Sequence, residues 1–245
     1  LERFWPNSAA ALESAMEMAR AAGDTRAELA AVKALLASRP ADSDLALRRG
    51  QLELAVGDPG AGLALIEALA AAKPADPALQ VELARAKFSW RLLNSPEQVR
   101  GLRDKVVLTR SDFAVLLYWT VPQIRTARPG AAQIASDIVD HPSRDEIARV
   151  ANLGLMTIDE TMHRFSPDAG LRRTDAVAAL LRLIAGNAPG GSCQAPRAAD
   201  REELCQAGVD CGLMDDRDLC QAGAGVSGSE AIEMLRRALD RLEDA

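Results

Sequence analysis

The chain has 245 residues, 48% hydrophobic, 26% charged and only 3% aromatic, enough for one large or two ordinary domains with cores of Ala, Leu, Ile, Val and Met, the composition of packed helices. A net charge of -6 and a pI near 5.1, without a basic tract, argue against nucleic acid or anionic lipid as partners, both of which need a cationic face. The richest apolar run, residues 60–72, is short and broken by Glu67, so no membrane span is expected in the chain as given.

The chain begins at Leu1 rather than at Met, from which a preceding segment is expected; the missing signal peptide is therefore no argument for the cytoplasm. Along the first third, Gly23-Asp24 returns as Gly57-Asp58, and Pro40-Ala41-Asp42 as Pro74-Ala75-Asp76, each 34 positions on. Between these breakers lie segments with helical apolar spacing, residues 11–22, 26–38, 45–56 and 60–73, and a further helix is expected over 77–93.

A period of 34 with Gly-Asp between the helices and Pro after the second resembles a tetratricopeptide repeat. The resemblance places Leu12, Ala15, Met16 and Ala19 on the first-helix contact positions and Gly50 at a small-residue position, whereas Glu28 and Gly62 stand where the family usually has alanine. It implies a short α-solenoid over residues 1–95 that holds a protein partner in its groove.

Further on, residues 108–117 read LTRSDFAVLL and residues 171–181 read LRRTDAVAALL. The second copy follows Ile134 to His141, a short amphipathic helix over 145–154, and the loop Phe165-Ser166-Pro167 with Gly170, where Phe165 suits a loop anchor and Asp175 the first turn of a helix over 176–184. The first copy keeps Leu108-Thr109-Arg110-Ser111-Asp112-Phe113 without a Phe-x-Pro, and its leading helix is expected in 80–93. A third copy runs from Cys211-Gly212-Leu213-Met214 through Cys220 to Val226-Ser227-Gly228-Ser229-Glu230-Ala231 and a helix ending near Leu242.

This order of elements resembles S-layer homology (SLH) repeats, in copies at about 96–130, 131–187 and 195–243 of a second domain, 96–245. The resemblance implies grooves in which a motif arginine and nearby aromatics hold cell-wall glycan or peptidoglycan-linked polymer. Carried over position by position, it makes Thr109, Arg110, Asp112 and Trp119 candidate wall-ligand residues of the first copy, and Arg173 and Asp175 of the second. A guanidinium suits a carboxylate ligand because it forms paired charge-assisted hydrogen bonds. The third copy has Gly228 instead of arginine, and Pro142 stands where the family usually has an early tryptophan. The contrasting reading is that the Arg and Asp of each motif serve the fold.

All the net acidity lies in residues 186–245, with 6 Lys and Arg against 12 Asp and Glu. The same quarter holds Cys193, Cys205, Cys211 and Cys220. Their even number and loop-rich setting point to two disulfides, with Cys193 paired to Cys205 and Cys211 to Cys220 as the expected connectivity. Zinc and unpaired thiols are the alternatives, zinc being disfavoured because there is no CxxC and no neighbouring His. Pro189-Gly190-Gly191-Ser192 reads as a linker.

Catalytic signals are sparse. His141 and His163 have no metal-ligand spacing, and the HExxH, GxSxG, P-loop and GxGxxG patterns do not occur. The adjacent pairs Asp159/Glu160 and Asp215/Asp216 suit solvated surface better than acid–base work. The expectation is an all-α, non-enzymatic scaffolding or binding protein of the bacterial envelope, periplasmic or at the cell surface, without cofactor or metal. The solenoid would bind a protein and the SLH-like unit cell-wall polysaccharide or peptidoglycan; the alternative is a protein-only adaptor or accessory subunit of a larger envelope complex, with vestigial wall grooves.

Overall fold

The computed structural model describes residues 8–130, 134–187, 193–194, 196, 200–221 and 223–243; the 189–192 linker and the opening of the third copy at 195 and 197–199 lie outside them. The protein is all-α: among the described residues the only β pairing is three isolated bridges. The chain divides into two compact units, Leu1–Trp90 and Arg91–Ala245.

The first unit contains α1 (Ala9–Ala22), α2 (Thr25–Ser38), α3 (Ser43–Val56), α4 (Pro59–Ala72) and most of α5 (Pro77–Leu93). The breakers do the cutting. Ser8, Asp24, Asp42 and Asp58 each cap the helix that follows by accepting from a backbone N–H of its first turn. Gly23, at φ 69°, ends α1 in the left-handed conformation that glycine adopts without strain. The starts of α1, α3 and α5 are thus spaced as the Gly-Asp and Pro-Ala-Asp markers are.

No aromatic residue occurs in α1 to α4, so aliphatic side chains form the core: Leu29, Val32 and Leu52 cluster with Met16, Leu36 and Val56 packed against them, and Leu35 and Ile66 are fully buried as well. Each such side chain contributes about 1.5–3 kcal/mol on burial. Gly62 has a steric reason. A Cβ there would lie 2.7 Å from the Gly50 carbonyl oxygen and 2.9 Å from the Leu54 nitrogen, so two glycines let α3 and α4 approach closely.

Glu28 is buried and ties three helices together. It accepts from Arg48 Nε at 2.8 Å and Nη2 at 2.5 Å on α3, and from Arg20 Nε at 2.9 Å on α1. Glu53 does the same further along, taking Lys33 at 2.8 Å and the Asp58 N–H at 3.0 Å. Hydrogen bonds from Arg48 and Arg20 outweigh burial and hold the Glu28 carboxyl below its ordinary value; Lys33 and the Asp58 N–H lower that of Glu53.

The second unit contains α6 (Glu97–Arg100), a 3-10 turn η1 (Gly101–Asp104), α7 (Arg110–Thr120), α8 (Pro122–Thr126), a 3-10 turn η2 (Ser136–Ile138), α9 (Arg144–Asn152), α10 (Arg173–Asn187), α11 (Arg201–Asp210), α12 (Arg217–Gln221) and α13 (Gly228–Glu243). The helix expected over 80–93 is present as α5; between it and α7 stand α6, which packs on α7, and η1, which packs on α13. Similarly α7 packs on α9, and α10 on α11.

Two disulfides are present, in a different connectivity from that expected: Cys193–Cys211 and Cys205–Cys220, with Cα separations of 5.5 and 5.7 Å. The correction has a helical reason. Cys205 is fully buried on α11, which packs against α12 carrying Cys220; Cys211, capping the far end of α11, is left for Cys193.

Candidate functional site

The three motif copies meet in a closed cycle of backbone hydrogen bonds. Leu108 N–H donates to Val226 at 2.8 Å, Val226 N–H to Leu171 at 3.2 Å, and Leu171 N–H to Leu108 at 2.7 Å. All three side chains are fully buried. A second set repeats the arrangement: Arg110 N–H donates to Ala169, Arg173 N–H to Ala224 and Gly228 N–H to Lys105. The helices α7, α10 and α13 begin at the aligned positions Arg110, Arg173 and Gly228.

Two of the helix starts carry a capping box. Thr109 accepts from the Asp112 N–H while Asp112 accepts from the Thr109 N–H, and Ser227 and Glu230 repeat the exchange. The acids of the motif also reach across copies. Arg110 pairs with Asp175 at 3.2 Å, and Arg173 with Glu230 at 3.0 Å. At the third joint Lys105 takes the arginine's place, with its Nζ 2.8 Å from Asp112. Burial opposes ionisation of Asp112 and Glu230, yet their hydrogen bonds, from Lys105 and Thr109 in one case and from Ser227 and Arg173 in the other, hold both carboxyls below the ordinary range.

Gly228 has no room for a side chain. A Cβ there would fall 1.6 Å from the Leu102 carbonyl oxygen, so the backbone of η1 lies where the third arginine would begin.

The candidate residues are therefore brought together around the cycle, except for Trp119. That side chain lies near the far end of α7, donating to Glu146 at 3.3 Å and lying edge-on to Tyr118. Arg110 is only 12% exposed and donates to the Phe165 carbonyl at 2.8 Å and the Thr157 carbonyl at 2.7 Å besides its pairing with Asp175; its guanidinium stacks 4.7 Å from the centre of the Phe165 ring. The Phe165 loop is held in turn by Asp137, whose carboxylate accepts from the Phe165 and Ser166 N–H groups at 2.8 Å each. His141 accepts from the Ser143 N–H just before α9.

Arg173 is held less completely. It is 7% exposed, pairs with Glu230 through Nη2, and its enclosed Nε–H has no acceptor. In the copy before, the equivalent Nε–H reaches the carbonyl of Phe165; the third copy has Cys220, tied into its disulfide, at the corresponding place of the motif.

Clefts border both of these arginines. One, of about 240 Å³, sets Arg110, Arg182 and Arg201 against Asp175 and Asp200. Burial lowers the pKa of Arg182, partly offset by Asp175. Another, of about 320 Å³, is walled by Arg173, the 213–216 segment and α13.

Lys105 and Arg182 were not legible as site residues, since neither falls on a motif position. Glu230 could have been found from its alignment with Asp112 and Asp175. Among the described residues no group of three or more His, Cys, Asp or Glu is placed to hold a metal ion, and no helix is long and apolar enough to cross a membrane. No known family profile, curated protein or solved structure matches the chain.

Proposed function

We propose that the protein is a non-enzymatic adaptor of the bacterial cell envelope, with a tetratricopeptide-like first unit that engages a protein partner and an SLH-like second unit whose motif arginines serve the fold. The observation that carries this reading is the engagement of Arg110: two carbonyls, one carboxylate and one aromatic face of the same unit already surround it. A wall carboxylate would have to displace those partners. The two disulfides fit an oxidising compartment such as the periplasm or cell surface.

Wall binding is the second reading, favoured by the three guanidiniums gathered in the Arg110 cleft. Co-sedimentation of the purified chain with isolated sacculi separates the two. The adaptor reading expects the protein to stay in the supernatant; sedimentation that is lost in an Arg182→Ala variant with an intact fold supports wall binding instead.

A further inference from the structure

Arg182 stands apart from Arg110 and Arg173, both of which are paired with a carboxylate of the next copy. Half-buried on α10, it makes one hydrogen bond, from Nη1 to the Leu155 carbonyl at 3.0 Å, and among the described residues it has no ion pair. Its Nε and Nη2 have no partner, and neither is sealed from solvent, so both stay open beside the 240 Å³ cleft that Arg182 lines. Burial makes this cation costly and lowers its pKa, and Asp175 offsets the cost only through space.

The two carboxylates of the cleft are committed elsewhere. Asp175 pairs with Arg110 at 3.2 Å and approaches Arg172 at 3.8 Å, and Asp200 accepts from the Glu203 N–H at 2.8 Å as the cap of α11. Arg110, Arg182 and Arg201 against these two acids leave the lining one positive charge in excess. Ala178, one turn before Arg182 on the same face of α10, has only a methyl to place in the cleft.

We propose that this cleft receives an acidic side chain, glutamate or aspartate, of a protein partner, with Arg182 as its anchor. The unused Nε–H and Nη2–H form a side-on fork that holds both oxygens of a carboxylate. One excess positive charge suits a monoanion, whereas a phosphate dianion is repelled by Asp175 and Asp200. No aromatic ring lines the cleft, so a sugar acid finds no face to stack on. Arg182 can take such a ligand without giving up a bond of the fold, which Arg110 cannot. The assignment rests on the adaptor reading and names the chemistry of the partner.

The test is a titration of the full, nitrogen-labelled chain with the tripeptide acetyl-Ala-Glu-Ala-amide, followed at the Arg182 Nε–H and the Ala178 and Leu204 amides. Saturable shifts are expected at all three, and they disappear with the glutamine peptide. Arg182→Lys keeps a cation but loses the fork, and weakens the peptide by about tenfold at the two amides. Asp200→Asn leaves a side chain that can still cap α11, removes one acid from the lining and tightens the peptide by about threefold, a gain that misfolding does not produce. The proposal is overturned if the signals do not move, if the glutamine peptide moves them equally, if the lysine variant binds undiminished, or if glucuronate or inorganic phosphate binds as tightly as the glutamate peptide. Sacculus binding by the wild type overturns the adaptor reading, whereas a silent peptide titration without sacculus binding removes the Arg182 site alone.

Discussion

In residues 8–90 helices pack on their neighbours in the chain, α1 on α2, α2 on α3 and α3 on α4. In residues 91–243 the ties span long stretches instead: Arg110 reaches Asp175, 65 positions on, and Arg173 reaches Glu230, 57 positions on. The first unit has no aromatic anchor in its first four helices and uses buried Glu28 and Glu53 to connect them; the second has Phe113, Phe165, two disulfides and a backbone cycle. Short-range packing makes stability a sum of neighbouring interfaces, while a closed cycle fails as a whole when one joint opens. The 34-residue repeat and the LTRSD repeat are therefore different kinds of repetition, one linear and one circular.

The contrast can be broken hardest at Gly228. Gly228→Ala drives a methyl into the Leu102 carbonyl, and a loss of about 3 kcal/mol is expected, spread over α7, α10 and α13 in region-resolved hydrogen exchange. Exchange confined to α13 would argue against a cooperative cycle. Replacing both Cys205 and Cys220 by Ala opens a bridge with a sequence separation of 15, at an expected cost of about 3 kcal/mol in the second unit and none in residues 8–90, read in urea melts followed by exchange. Gly62→Ala reverses the location, with about 1–3 kcal/mol lost where α3 meets α4 and the second unit unchanged.

A smaller effect concerns acid. The Glu28 carboxyl is held below its ordinary value of 4.5, so its contribution is fully present above that value and is lost as pH falls through the lowered folded one. Glu28→Gln should flatten the acid side of the first unit's stability profile while the wild type declines there. An unchanged profile would show that Glu28 does not join the helices. Thr109→Ala, which removes one cap, should cost about 1 kcal/mol.

Much of the first unit was legible because Gly-Asp and Pro-Ala-Asp act locally, as turn and cap, at the places where the chain must break. The roles of Glu28 and Gly62 were not, since a departure from alanine shows its reason only when Arg48 or Gly50 stands opposite it. In the second unit the LTRSD and LRRTD copies marked the starts of α7 and α10, and Val226 to Ala231 the start of α13. What they could not convey was direction. Arg110 could point to solvent or to Asp175, and a motif by itself does not say which. The short α6 and η1 also escaped, having too few residues for a helical period, and with them Lys105, which closes the third joint. The disulfide pairing depended on which face of α11 carries Cys205, information absent from cysteine spacing alone.

The central claim is that the motif arginines hold the second unit together. Its most direct test is the stability of Arg110→Ala followed by hydrogen exchange. The account predicts a loss of about 3 kcal/mol, with protection falling together at residues 157–165 and at the start of α10. A variant as stable as the wild type, with those segments still protected, would contradict it and return Arg110 to the role of a ligand-binding side chain.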